Sequence, residues 1–391
     1  MSSVPAPESQ IPRPRMRQRV WFIFCVLLLL DSCLVALNVS AWDLWPKWRQ
    51  STNDDAEATL PLSFNGSSDK LKQTIVVPTL DSAIPQNKSA IWCATAPMAW
   101  QQFEKDIAGG PVVVEGAEAI CQSLSKSPNP NLDPKDFYVA AGLMEKGIVE
   151  QIRKEMAVKF PDAKLPDLDP IPEGAVTWAY LAVALEYSFH FNDSEKPLEF
   201  QDSKGNKTPV QAFGIREQDK DKGENSFRSQ VEVLFQKDGA FAVDLSRKTQ
   251  PYQIILARMD RQPTLASTLA DLNKRIAAET SKGLSEAAVL LVPKMHWKID
   301  HEFQELIGNI VTPRISGGKW IKAHQSVQFR MDRKGVVLSS GFLGMSVLNG
   351  HDHNPNLLLF DRPYLILIKK RGGQQPFFVM WVDNAELLQK Q

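Results

Sequence analysis

Pro363-Tyr364-Leu365-Ile366-Leu367-Ile368-Lys369, then Arg371-Gly372-Gly373-Gln374, then Pro376-Phe377-Phe378-Val379-Met380-Trp381-Val382 is the passage that decides the fold. Two runs rich in β-branched and aromatic residues flank a glycine turn, and that pattern predicts a β-hairpin. Working upstream, further strands are expected at 198–200, 210–213, 231–235, 240–245, 253–258, 327–331 and 336–339. Strands at 287–292 and 295–299 are separated by Pro293. Thr177-Trp178-Ala179-Tyr180-Leu181-Ala182-Val183-Ala184-Leu185 is continuously apolar, and aromatic alternation follows to Phe191, which reads as one strand buried on both faces.

Helical patterns dominate the earlier part. Residues 91–100 lead into a helix with Phe103 and Ile107 on its apolar side, ended by Gly109-Gly110-Pro111. Others are expected at 117–124, 134–145 and 148–160, before a Pro- and Asp-rich loop over 161–172. Later come a helix at 265–280 and a short one at 301–307. Helices grouped early and strands grouped late predict an α+β fold.

The 391 residues are 43% hydrophobic and 23% charged, with 45 Lys+Arg against 45 Asp+Glu. A chain of this size buries a large core without disulfides or metals. No basic patch is interleaved with stacking aromatics, so nucleic acid is not an expected partner. Cys25 and Cys33 lie in an apolar N-terminal run; Cys93 and Cys121 leave a disulfide and two buried thiols equally open. No CxxC signals a thiolate zinc site.

Residues 1–19 carry Arg13, Arg15, Arg17 and Arg19 and are expected to be a cytoplasmic basic tail. Residues 20–41 are long and apolar enough to span a bilayer, and Trp42, Trp45 and Trp48 follow where an aromatic belt belongs. Asp31 within the run costs about 2.5–3.5 kcal/mol at mid-membrane. A cleaved signal with a site near Ala41 is the alternative, and Leu30-Asp31-Ser32-Cys33 loosely resembles a lipobox. Anchor and cleaved signal alike put the remainder outside the cytoplasm, periplasmic or extracellular, and secreted if the run is removed. Residues 42–85 read as a polar linker, and 86–391 as the folded domain.

Several strings then resemble one family in order and spacing. Phe360-Asp361-Arg362-Pro363-Tyr364-Leu365-Ile366-Leu367-Ile368 resembles the serpin strand that follows the reactive loop, and Pro376-Phe377-Phe378-Val379-Met380-Trp381-Val382-Asp383 its closing strand. Residues 289–308, with Pro293-Lys294, Asp300 and Glu305-Leu306, resemble the strand–helix unit before the loop. Residues 180–191 resemble the central strand of the large sheet, and residues 91–100 the early buried helix. Arg330-Met331-Asp332-Arg333-Lys334-Gly335 resembles the segment ahead of the hinge. The likeness covers about residues 89–388. It implies a serpin-like fold of early helices, a large mixed or antiparallel sheet and smaller C-terminal sheets, with some helices between Trp100 and Trp178 trimmed.

The resemblance also implies a site. Arg333, Gly335, Val336, Val337, Leu338, Ser339, Ser340 and Gly341 fall on the reactive-loop hinge, and Leu343, Met345, Leu348, Asn349 and Gly350 on the bait. Serpins inhibit when a cleaved loop inserts as a new strand and carries the trapped protease with it. Arg333 stands where an acidic residue is usual, and the hinge is not a run of small residues. Alternation would send inward either Val336, Leu338, Ser340 and Phe342, or Val337, Ser339, Gly341 and Leu343. Bulk forced into a packed core costs about 1–3 kcal/mol, so the first set implies slow insertion. No Lys or Arg lies between Val336 and Leu359. The expected partner is a chymotrypsin- or elastase-like serine endopeptidase, or a papain-like cysteine protease, with an apolar pocket. No cofactor is required, and a monomer is expected.

Two other classes stay open: a non-inhibitory binding or scaffold module of the same fold, and an extracytoplasmic hydrolase. The hydrolase needs a converging nucleophile, base and orienting group, and no such set is visible. Ser67/Lys70, Ser123/Lys126 and Ser316/Lys319 match Ser-x-x-Lys but lack a Lys-Thr-Gly partner and read as chance. His351-Asp352-His353 sits in a Gly/Asn/Pro-rich loop without further ligands and reads as solvated. His190 and His296 read as half-buried strand residues.

Overall fold

The computed structural model describes residues 60–163, 165, 173–219, 226–311, 315, 317–338 and 357–391. From Leu60 onward the described residues belong to one compact unit. In chain order it runs β1 (Phe64–Ser67), β2 (Thr74–Val76), β3 (Ser89–Cys93), α1 (Thr95–Phe103), α2 (Glu118–Lys126), β4 (Phe137–Leu143) and α3 (Ile148–Lys159). Next come β5 (Ala175–Leu181), β6 (Val183–Glu186), β7 (Asn192–Asp193), β8 (Leu198–Gln201), β9 (Lys207–Val210), β10 (Ala212–Ile215), β11 (Glu232–Lys237), β12 (Ala240–Asp244) and β13 (Tyr252–Arg258). Then follow α4 (Leu265–Ala277), β14 (Lys282–Gly283), β15 (Val289–Pro293), β16 (Met295–Glu302), β17 (Gly308–Asn309), β18 (Lys319–Trp320) and β19 (His324–Asp332). The last are β20 (Gly335–Leu338), β21 (Leu357–Leu359), β22 (Tyr364–Lys370) and β23 (Pro376–Val382).

The C-terminal hairpin forms as expected, β22 against β23 from Tyr364↔Val382 onward. Every residue of β23 is buried, because the hairpin lies inside an eight-stranded sheet ordered β14-β11-β12-β13-β22-β23-β3-β2. A five-stranded sheet, β1-β16-β19-β20-β6, packs on its face. There Phe378 of β23 stacks on Phe329 of β19 at 4.8 Å between ring centroids, with Trp297 of β16 beside both. Such aromatic contacts add to the burial that holds two sheets together. A four-stranded sheet, β21-β15-β10-β7, completes the main body. The α+β class expected from the sequence is the class observed.

A smaller core lies under the β4–β5 hairpin. Ile148, Ile152 and Met156, four residues apart along one face of α3, pack there with Tyr138 and Phe160. α1 continues into a π-helical turn, Glu104–Ala108, and stops at Gly109, whose φ of 65° is the left-handed cap that the Gly-Gly-Pro signal anticipated.

Five expectations are corrected. Residues 60–85 are not linker: β1 pairs parallel with β16 and β2 with β3, so this stretch is part of the fold. Residues 134–145 form a short 3-10 turn and then a strand, because β4 pairs with β5 along seven residues. The strand expected over 177–191 breaks at Ala182 into β5 and β6, which have different partners. Residues 91–93 belong to β3, so the early helix starts only at Thr95. At 301–307 only Gln304–Leu306 is helical, a 3-10 turn after a longer β16.

Among the described residues, no helix is long and apolar enough to cross a membrane; the apolar run 20–41 lies outside them. Cys93 and Cys121 are free and buried.

Candidate functional site: a hinge seated between two strands

The expected hinge begins at the end of β19. Asp332 Oδ1 accepts the Lys334 amide at 2.8 Å, turning the chain back on itself, while Asp332 Oδ2 takes Arg330 Nε at 2.8 Å. The returning strand β20 is antiparallel to β19 in the register Arg330↔Val337, Met331↔Val336 and Asp332↔Gly335. Its other edge is antiparallel to β6, from Gly335↔Glu186 to Leu338↔Val183. The hinge residues Gly335, Val336, Val337 and Leu338 are therefore a sheet strand, close to the strand expected at 336–339.

Gly335 is required there by space. A Cβ on it would lie 2.3 Å from the Leu185 carbonyl oxygen. Val336 and Leu338 are 2% and 5% exposed, while Val337 is only partly buried. The inward alternation is thus the one carrying Val336 and Leu338. Ser339, Ser340, Gly341, Leu343, Met345, Leu348, Asn349 and Gly350 lie outside the described residues.

The turn itself is held by its neighbours. The amides of Tyr187 and Phe191 donate to the carbonyls of Lys334 and Arg333, each at 2.9 Å. Arg333 Nε lies 3.9 Å from Asp193 Oδ2, and Lys294 reaches Asp193 Oδ1 at 2.8 Å. Burial pushes the Tyr187 phenol well above its ordinary value, and the carboxylates of Asp332 and Asp244 add to this.

Below the hinge the two flanking strands part company. Among the described residues, β5 has only β4 as a ladder partner, and β19 from His324 to Phe329 has only β16. α1 joins the two sides. Gln325 Nε2 of β19 donates to Thr95 Oγ1 at 2.7 Å, and Thr177 Oγ1 of β5 donates to the Ala99 carbonyl at 2.7 Å. Sequence reading missed these tether residues. The signal was Gln325 itself, a polar residue in the inward set Gln325, Val327, Phe329, Met331.

Downstream, β21 pairs parallel with β15. Arg258 Nη1 then fixes the chain by donating to the Leu359 carbonyl at 2.9 Å and to Asp361 Oδ1 at 2.8 Å. Burial lowers the Arg258 pKa, and the Asp361 carboxylate opposes that shift.

Elsewhere, the Ser67 and Ser123 hydroxyls donate to Asp69 and Asp81 at 2.9 Å. His190 is exposed beside Glu186 at 3.0 Å, and His296 is fully buried, so neither is half-buried. Among the described residues, no group of three His, Cys, Asp or Glu side chains is placed to hold a metal; His351 and His353 lie outside them.

No protein-family model matches the chain, and no curated protein matches it. Solved structures similar to it include thyroxine-binding globulin in complex with thyroxine, at 10% identity and a TM-score of 0.46 over 76% of this chain and 93% of that one. Native protease nexin-1 with heparin has 11% identity and a TM-score of 0.44 over 76% and 93%. Tengpin, a thermophilic serpin in the native state, has 12% and 0.43 over 80% and 97%. The likeness is one of fold alone.

Proposed function

We propose that the chain is a serpin-type inhibitor of a serine-type endopeptidase with an apolar specificity pocket, acting outside the cytoplasm and held to a membrane by residues 20–41. The observation that carries this reading is β20, a hinge seated antiparallel to both β19 and β6 at the head of a seam where, among the described residues, β19 from His324 to Phe329 and β5 share no ladder. Cleavage near Leu348-Asn349-Gly350 would free the residues after Leu338 to lengthen β20 down that seam, drawing the acyl-linked protease along. Incubation of the ectodomain with chymotrypsin-, elastase- and papain-like proteases tests it. An SDS-stable complex is expected; clean cleavage without one rejects inhibition.

A second reading, a non-inhibitory binding or scaffold module, is favoured by the inward Val336 and Leu338. Continued alternation would require Phe342 to enter the same core at about 1–3 kcal/mol. Thermal melting before and after loop cleavage separates the two: a large rise marks insertion, and no rise supports the module.

A further inference from the structure

One short stretch of chain supplies an outer strand to each of the two large sheets. β1 lies on β16 at the edge of the five-stranded sheet, and β2 lies on β3 at the edge of the eight-stranded one. The strands beneath are apolar: β3 is buried along its whole length, and β16 carries buried Met295, Trp297 and Ile299. The strands on top are blunt. β1 and β2 have four and three residues, Gly66 interrupts β1 with a φ of 146° that other residues rarely adopt, and Asp69, Lys70 and Lys72 are exposed beside them. Short, charged, irregular edges resist pairing with another chain, and long apolar ones invite it.

The stretch is fastened by the end of the chain. Glu386 Oε1 and Oε2 accept the Lys72 and Gln73 amides at 2.7 and 2.9 Å, and Asn384 Nδ2 donates to the Gln73 carbonyl at 2.9 Å. The Ser63 hydroxyl is shared between the carbonyls of Leu387 at 2.7 Å and His296 at 3.0 Å, and Gln389 Nε2 donates to the Pro61 carbonyl. The tail is itself fixed to the body. Leu387 and Leu388 are buried, the Gln389 amide donates to the Lys294 carbonyl at 2.9 Å, and the Gln389 carbonyl accepts the Gln211 amide at 2.8 Å. We infer that residues 60–76 are a strap that keeps the β16 edge from pairing with the same edge of a second copy, and that the tail 384–389 is its buckle, with Glu386 as the positioning residue. A second copy fits because an edge that pairs with itself closes a two-fold dimer. Ladders of four and three residues give few bonds, so the charge-assisted bonds at Glu386 are a large share of what seats the strap. The device does not depend on the proposed inhibition.

The test compares the natural full-length chain with Glu386→Ala. Hydrogen exchange at the amides of 63–67 and 74–76, away from Lys72 and Gln73 themselves, is expected to quicken about tenfold, with β23 unchanged. Glu386→Gln, which keeps one acceptor oxygen, is expected to fall between the two. Lys298 of β16 reaches solvent, so an amine crosslinker reports on that edge. An equal mixture of unlabelled and isotopically heavy Glu386→Ala chains is expected to give Lys298-to-Lys298 links between light and heavy copies, which the natural chain does not give. Quickening confined to Lys72 and Gln73, or equal quickening in β23, overturns the buckle. An open strap without light-to-heavy links at Lys298 overturns the shielding.

Discussion

Gly335 and Leu185 meet backbone to backbone: a Cβ on Gly335 would lie 2.3 Å from the Leu185 carbonyl oxygen and 2.9 Å from the Glu186 Cα. Neither atom can swing aside as a side-chain tip would. Gly335→Ala must therefore push the start of β20 away from β6. The expected outcome is a stability loss of about 1–3 kcal/mol in urea, with faster amide exchange at 335–338. Unchanged exchange there would mean that β19 alone seats the strand.

Arg258 and Asp361 make the second testable contact, 2.8 Å apart with side chains only 15% and 12% exposed. Asp361→Ala leaves a buried guanidinium with the Leu359 carbonyl but no counter-charge. Removing one partner of such a pair costs about 3–5 kcal/mol. Asp361→Asn, which keeps an acceptor oxygen, is expected to cost less. Urea midpoints of the two variants check the order, and equal losses would show that charge is not what matters.

What the sequence made legible was what side chains alone encode. The β22–β23 hairpin, the break between β15 and β16 just after Pro293, and the Gly109 stop each rest on local chemistry. Residues 64–67 and 74–76 escaped because backbone bonds tie them to β16 and β3, and strands of four and three residues are too short to show a period. Residues 137–143 took a strand in place of a helix because a partner, β5, lies alongside. The hinge register was undecidable for a related reason. A one-residue slip exchanges Val336 and Leu338 for Val337, and only pairing to Met331 and Leu185 selects between them.

The two buried thiols give a reactivity prediction. Burial raises the Cys93 pKa against the Thr95 contacts that lower it, and raises that of Cys121, whose Sγ accepts the Val114 amide at 3.3 Å. Less thiolate is then present at about pH 8 than for a free thiol near 8.5. Iodoacetamide is expected to leave both unmodified in the native protein and to label both in guanidinium, read by peptide mass spectrometry. Native labelling of either would show that its shell opens.

The size of the seated hinge side chains links stability and trapping in opposite senses. Leu338→Ala removes a buried side chain from the core below β6 and is expected to cost about 2–5 kcal/mol, and Val336→Ala somewhat less. Both also lighten the strand that must slide as the seam fills. If the protein traps proteases, the double variant should melt earlier and yet give a larger share of SDS-stable complex with an elastase-like enzyme. If it is a binding module, the variant should melt earlier, give no complex, and show no rise in melting temperature after loop cleavage. A variant that melts earlier and traps less than the natural chain would mean that Val336 and Leu338 hold the inserted state together, and bulk at the hinge would then be a requirement of insertion.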